Sequence, residues 1–143
     1  MAVRKLFYLL SLFLVFVIPT IVEGYFIFDR IDKLNLALFI GGILVIGSVW
    51  DIWATRHGKN DPVWLWQFNE KDILGVKLFD LPIEEYLFYV VSSVYVIFTW
   101  ESFRFVSETG NSVMYVILPF VAMWSLFFIG LPYVIKFRNK DKL

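Results

Sequence analysis

No cysteine occurs in the chain, which excludes disulfides, thiolate metal sites and cysteine nucleophiles and leaves the redox compartment open. One histidine, His57, cannot build a histidine-rich metal site. The eight glycines form no G-x-G-x-x-G and no Walker-type loop, so nothing calls for a nucleotide cofactor. Net charge is lacking too: thirteen basic residues cancel thirteen acidic ones, which points to neither nucleic acid nor an anionic substrate. We therefore expect no cofactor, no metal and no nucleic-acid partner. What the chain has is apolar surface. Of 143 residues, 59% are hydrophobic and 20% aromatic, against about 45–50% apolar residues in a soluble domain. The expectation is one integral membrane domain spanning residues 1–143.

Four segments reach the roughly 20 apolar residues that a helix needs to cross a bilayer. They run from about Lys5 to Ile27, Leu34 to Trp53, Pro82 to Phe103 and Val113 to Phe137. The first begins after Arg4-Lys5 like a secretory signal, but Pro19-Thr20-Ile21-Val22-Glu23 offers no small-x-small cleavage site, so it reads as a retained helix. Pro82 suits the first turn of the third helix, where its missing N–H has no role. Pro119 and Pro132 fall inside the fourth and predict a kink. The expected fold is all-α, a bundle of four transmembrane helices with a cytoplasmic loop or short hairpin between the second and third. Arg4, Lys5, Arg56, Lys59, Lys71, Lys77, Lys136, Arg138, Lys140 and Lys142 fall on one side, against Arg30, Lys33 and Arg104 on the other. That asymmetry places both termini and the long second loop in the cytoplasm, the protein being multi-pass in the cell membrane.

The second loop, Ala54 to Leu81, carries Trp64, Trp66, Phe68, Ile73, Leu74, Val76 and Leu78, too apolar for a disordered linker. Trp64, Trp66 and Phe68 alternate, Asn69-Glu70-Lys71-Asp72 reads as a turn, and a short apolar run follows. The pattern predicts a β-hairpin or re-entrant flap. The tryptophans equally suit a belt at headgroup level, which is compatible with a lid.

Most acidic residues sit at the ends of spans, where snorkelling into the headgroups explains them; Glu23, Asp32, Glu70, Glu108 and Asp141 are read in that way. Asp51 differs, because Trp50 precedes it and Ile52-Trp53 follow within the apolar run. Glu84 and Glu85 open the third span. One reading of that pair is structural, as partners for the unpaired N–H groups and positive dipole of a helix N-terminus. Helical spacing adds a second. Glu85, Tyr89, Ser92 and Val96 share one face, whereas Glu84 points about 100° away, over Phe88, Val91 and Tyr95. Glu101 lies about 24 Å further along the helix, at the opposite membrane face. Asp51 ends the second span on the side of Glu84 and Glu85. The convergent set is Asp51, Glu84 and Glu85. A carboxyl group held out of water near other carboxylates keeps its proton near neutrality and can act as a general acid. Aromatic π-faces stabilise a carbocation without trapping it. An acid in an aromatic, water-poor pocket suits protonation of an olefin, and the residues by themselves do not name the olefin.

The ordered set Trp50-Asp51, Trp66-Gln67-Phe68-Asn69, Ile73-Leu74-Gly75-Val76 and Leu81-Pro82-Ile83-Glu84-Glu85-Tyr86-Leu87-Phe88 resembles the small membrane lycopene cyclase domain. Phe28-Asp29-Arg30 and Glu101 also match its pattern, so the resemblance covers residues 28–101. Pro-x-Glu-Glu alone is a weak motif; the ordered set is specific. The resemblance implies acid-catalysed, non-redox cyclisation of lycopene ends to β-ionone rings, without flavin. It matches Glu84 and Glu85 to the family's acids, one to protonate the terminal double bond and the other to tune it. Asp51 is the candidate for the base or for an orienting group. Trp66, Phe68, Asn69, Phe88 and Tyr89 are expected to bind the substrate. Asp29 and Glu101 are assigned to structure or a partner contact. The family works as paired subunits or fused tandem domains, so this single copy implies a second cyclase subunit or a homodimer, with the tail after Glu101 available to the interface. The expected partners are therefore lycopene or a related carotenoid, the second subunit and the lipid bilayer. The alternatives are a cyclase making ε-rings or acting on a prenyl-extended carotenoid, and a non-catalytic membrane partner of a catalytic subunit.

Overall fold

The computed structural model describes residues 6–58 and 68–110, together with residues 121, 125, 128 and 129. Three of its helices are long and apolar enough to cross a membrane: Tyr8–Arg30, Lys33–His57 and Ile83–Thr109. They correspond to the first three expected spans. The expected fourth, Val113 to Phe137, lies outside the described residues but for the four isolated positions.

The first span is built from α1 (Phe7–Leu12) and α2 (Ile18–Ile27), joined by a π-helical turn, Phe13–Val17. Pro19 explains the wider turn. It has no N–H to offer the preceding turn, and its ring crowds the carbonyl one turn back. The Thr20 hydroxyl donates to the Phe16 carbonyl at 2.7 Å, adding a bond where the ladder is disturbed. A short 3₁₀ turn, Phe28–Arg30, ends the span.

Asp32 starts the second helix, α3 (Lys33–Gly58). Its carboxylate accepts the backbone N–H groups of Leu34 at 3.0 Å and Asn35 at 3.1 Å, the N-cap arrangement that satisfies otherwise orphaned donors. This helix runs one turn beyond the expected Trp53, into Ala54-Thr55-Arg56-His57. The third helix, α4 (Ile83–Thr109), also outruns its expected end at Phe103. Gly110 stops it at φ +63°, donating its N–H to the Val106 carbonyl at 3.0 Å. Helices outlast their apolar runs here because polar side chains carry them into water. Arg104 bridges Glu101 at 2.8 Å, and Arg30 reaches Glu108 at 2.9 Å.

α4 is the central helix, packed against both the first span and α3. Ile27, Ile31 and Phe98 form the buried core of the first interface, with Leu36, Val94, Ile97 and Phe105 around them. α3 leaves Leu34, Leu38, Val45, Ile46, Val49 and Trp50 exposed. Such a surface is stable against lipid or a partner helix.

The described residues of the second loop contain a hairpin, at a turn other than the expected one. Strands β1 (Lys77–Leu78) and β2 (Leu81–Pro82) pair antiparallel around Phe79 and Asp80, which have φ of 52° and 71°. Two left-handed residues make the tight turn whose twist suits a hairpin. Asn69–Asp72 forms a turn as expected, the Asp72 N–H donating to the Asn69 carbonyl at 2.9 Å, but it does not join the paired strands. The expected first strand, Trp64 to Phe68, lies outside the described residues except for Phe68.

Candidate active site

The loop after the Asn69–Asp72 turn folds onto the N-terminus of α4. Val76 accepts the Ile83 N–H at 3.0 Å, while Ile73 and Leu81 are buried beneath. The Leu74 N–H turns inward and donates to Glu84 Oε1 at 2.5 Å. Glu84 is thus the loop's anchor and is fully buried, and its second oxygen, Oε2, has no hydrogen-bond partner among the described residues. A carboxyl oxygen enclosed in this way without a partner carries an unrepaid desolvation cost.

Glu85 is also buried but serves a different face, about 100° round the helix. The Tyr8 hydroxyl, from α1, donates to Glu85 Oε1. One turn on, the Tyr89 hydroxyl donates to Asp51 Oδ2 of α3 at 2.5 Å. Two tyrosine–carboxylate bonds therefore tie the first span to α4, and α4 to α3, at one end of the bundle. Glu84 and Glu85 are adjacent, and Tyr89, one turn past Glu85, holds Asp51, so the three carboxyl groups gather at the same end of the bundle. The helix-end role considered for the glutamates does not account for this. Pro82 is the N-cap residue of α4 and makes no side-chain cap bond, and both glutamates spend hydrogen bonds on other segments.

An aromatic wall descends from the cluster. Phe88 packs edge-on against Tyr89 at 5.5 Å and Phe16 at 5.8 Å, and Phe16 against Tyr95 at 5.6 Å. The widened turn before Pro19 holds Phe16 there. Such edge-to-face stacks are favourable in themselves.

The other candidates fall in different places. Phe68 is half-buried. Asn69 is exposed, and its side chain serves its own turn, accepting the Lys71 N–H at 3.1 Å and donating to Asp72 at 2.5 Å. Trp66 lies outside the described residues. Asp29 and Glu101 are remote from the pair, since α4 runs unbroken between Glu84 and Glu101, about 25 Å at 1.5 Å per residue.

Sequence reasoning missed two residues. Tyr8 looks like one more aromatic in an apolar run, and only the pairing of α1 with α4 reveals its partner. Glu23 was read as snorkelling to the headgroups; that reading is corrected. Glu23 is 1% exposed, and both its oxygens accept from the Thr99 hydroxyl, at 3.0 and 3.2 Å. Thr99 lies fourteen residues past Glu85 on α4, about 21 Å away along the axis. Glu23 therefore belongs to the interface between α2 and α4, where interhelical hydrogen bonds act as polar glue. One available signal was its spacing from Pro19, which is one turn back on the same face and also buried.

A protein-family model described as lycopene cyclase matches residues 4–103, a stretch that includes every member of the carboxyl cluster. No curated protein and no solved structure matches the chain.

Proposed function

The chain belongs to the lycopene cyclase family, and from that premise we propose that it is one subunit of a lycopene β-cyclase that closes the linear ends of the polyene by acid catalysis without net oxidation or reduction. The observation carrying this reading is the cluster of Glu84, Glu85 and Asp51, drawn out of water by the loop on one side and by Tyr8 and Tyr89 on the other.

Glu84 is the proton donor. Its Oε1 is occupied by the Leu74 N–H, whereas Oε2 has no partner among the described residues and is the oxygen free to hold an O–H. It shares a helix face with Phe88, which opens the aromatic wall. The proton adds to the terminal double bond of the polyene and leaves a tertiary cation. The π-electrons of the internal double bond attack that cation, forming the ring bond and moving the positive charge onto a ring carbon. Phe88, Tyr89 and Phe16 stabilise the charge through their ring faces. Loss of a ring proton to a carboxylate restores neutrality, so atoms and electrons balance without a co-reactant. Asp51 takes that proton. Glu85 sets the charge of the cluster and orients it through Tyr8. Phe68 extends the lining from the loop, and Trp66 is proposed to bind the substrate.

The subunit acts in the cell membrane beside a second copy or a companion subunit, with the loop on the cytoplasmic side. The uncovered apolar flank of α3 and the uneven distribution of basic residues support this arrangement. The test is expression in a lycopene-accumulating host, alone and together with a candidate companion subunit, with separation of the pigments. Ring-bearing product from wild type, and its loss in Glu84→Gln with membrane insertion intact, are expected. Ring formation undiminished in Glu84→Gln would remove Glu84 as donor. A wild type inactive in every pairing would make the chain a non-catalytic partner.

A further inference from the structure

The glycines of α3 are not equivalent. A Cβ built at Gly41 or Gly42 meets nothing within 4 Å, whereas one built at Gly47 would run into Cε1 of Tyr89 and lie 2.5 Å from its Cζ and 2.7 Å from its Cδ1. Ordinary carbon contacts lie near 3.5–4.0 Å, so the ring edge occupies the space that any other residue's side chain would fill. Cζ is the atom that carries the Tyr89 hydroxyl, and that hydroxyl donates to Asp51. Asp51 stands four residues after Gly47, one turn along the same face. Glycine is the weakest helix former apart from proline, so helix propensity gives no reason to place one there.

From these contacts we infer that Gly47 is a positioning residue of the site: the slot it leaves in α3 seats the Tyr89 ring so that its hydroxyl can hold Asp51. Gly47 touches neither substrate nor proton and acts through Tyr89. The ring is a side chain free to rotate about its own χ angles, so a methyl group at residue 47 displaces it without breaking a helix. The hydroxyl then leaves Asp51, and the carboxylate loses its orientation towards the ring proton. The inference rests on the cyclase reading for its kinetic consequence and on geometry alone for its structural one.

Both consequences are measured on the full chain. With lycopene as substrate in membranes, Gly47→Ala lowers kcat about tenfold or more and changes KM less than about threefold, since the bond matters after the substrate has bound. Tyr89→Phe, which keeps the ring and removes the hydroxyl, also lowers kcat and by no more than Gly47→Ala does. The double variant is no worse than Gly47→Ala alone, because a displaced ring has already lost the bond that Tyr89→Phe removes. Gly42→Ala, on the same helix in open space, retains wild-type turnover. The structural arm is thermal stability in detergent. Gly47→Ala lowers the melting temperature in the wild-type background and leaves it unchanged or raised in a Tyr89→Ala background, where the ring is gone. Wild-type kcat in Gly47→Ala, losses that multiply in the double variant, or equal losses in Gly42→Ala would overturn the inference. So would a melting temperature lowered equally in both backgrounds. If wild type forms no ring from lycopene, the cyclase reading fails, and the stability arm still decides whether the slot exists.

Discussion

Tyr8→Phe keeps the ring and its packing and deletes only the hydroxyl that donates to Glu85. Glu85 is buried, and no other donor to it is found among the described residues. A hydrogen bond to a charged group is worth about 1.5–3 kcal/mol, and interhelical bonds in membrane proteins reach only about 0.6–1.7 kcal/mol because the unfolded chain in lipid finds other partners. The range for this bond is therefore about 0.6–3 kcal/mol, or about three- to 150-fold in rate if the whole difference is expressed in the transition state. The assay is conversion of lycopene in isolated membranes, with protein quantified in the same fraction. Turnover falls within that range while the amount of inserted protein is unchanged. Tyr25→Phe is the control, since Tyr25 is 86% exposed and faces away from the bundle. Wild-type turnover in Tyr8→Phe would show that the hydroxyl does nothing for Glu85. An equal loss in Tyr25→Phe would show that the assay reads general damage.

Thr99→Val leaves the Glu23 carboxyl buried without its donor and lowers the melting temperature in detergent; adding Glu23→Leu, which removes the stranded group, recovers part of the loss. An unchanged melting temperature in Thr99→Val alone would refute the interhelical role of Glu23. Phe79→Gly relieves a residue held at φ +52°, where a bulky side chain is strained, and raises stability by about 1 kcal/mol in chemical denaturation; a decrease would mean that the exposed ring contributes more than the strain costs. Arg30→Ala breaks the exposed contact with Glu108 at the end of α4 remote from the cluster, and lycopene turnover stays at the wild-type level. A fall in turnover of the size seen for Tyr8→Phe would bring Arg30 and Asp29 back into the site.

Apolar runs and periodicity were enough to place three helices and to divide Glu84 from Glu85, because both depend on local spacing within one segment. Asp51 was recognisable by its position inside an apolar run. Partners were not recognisable in the same way. Tyr8 and Glu85 are 77 residues apart, and Glu23 and Thr99 are 76 apart, so the identity of each pair is a property of how α1, α2 and α4 pack. The hairpin at Phe79-Asp80 was not legible for a different reason. Asn69-Glu70-Lys71-Asp72 carries the usual turn residues and does turn, whereas Phe79-Asp80 makes the tighter turn without glycine or asparagine, held by pairing on both sides and by Arg56, 3.5 Å from Asp80. Gly47 offered no signal among the other glycines of α3, since only the ring lying against it gives it a role.

The central claim is that a carboxyl group of this cluster, Glu84, delivers the proton that starts ring closure. The most direct measurement is cyclisation of lycopene by membranes equilibrated in D₂O, followed by mass spectrometry of the pigment, with Glu84→Gln run alongside. The account predicts a solvent-derived deuteron in each ring closed by wild type and no ring in the variant. Rings formed in D₂O without deuterium, or labelled rings formed by Glu84→Gln at the wild-type rate, would contradict it.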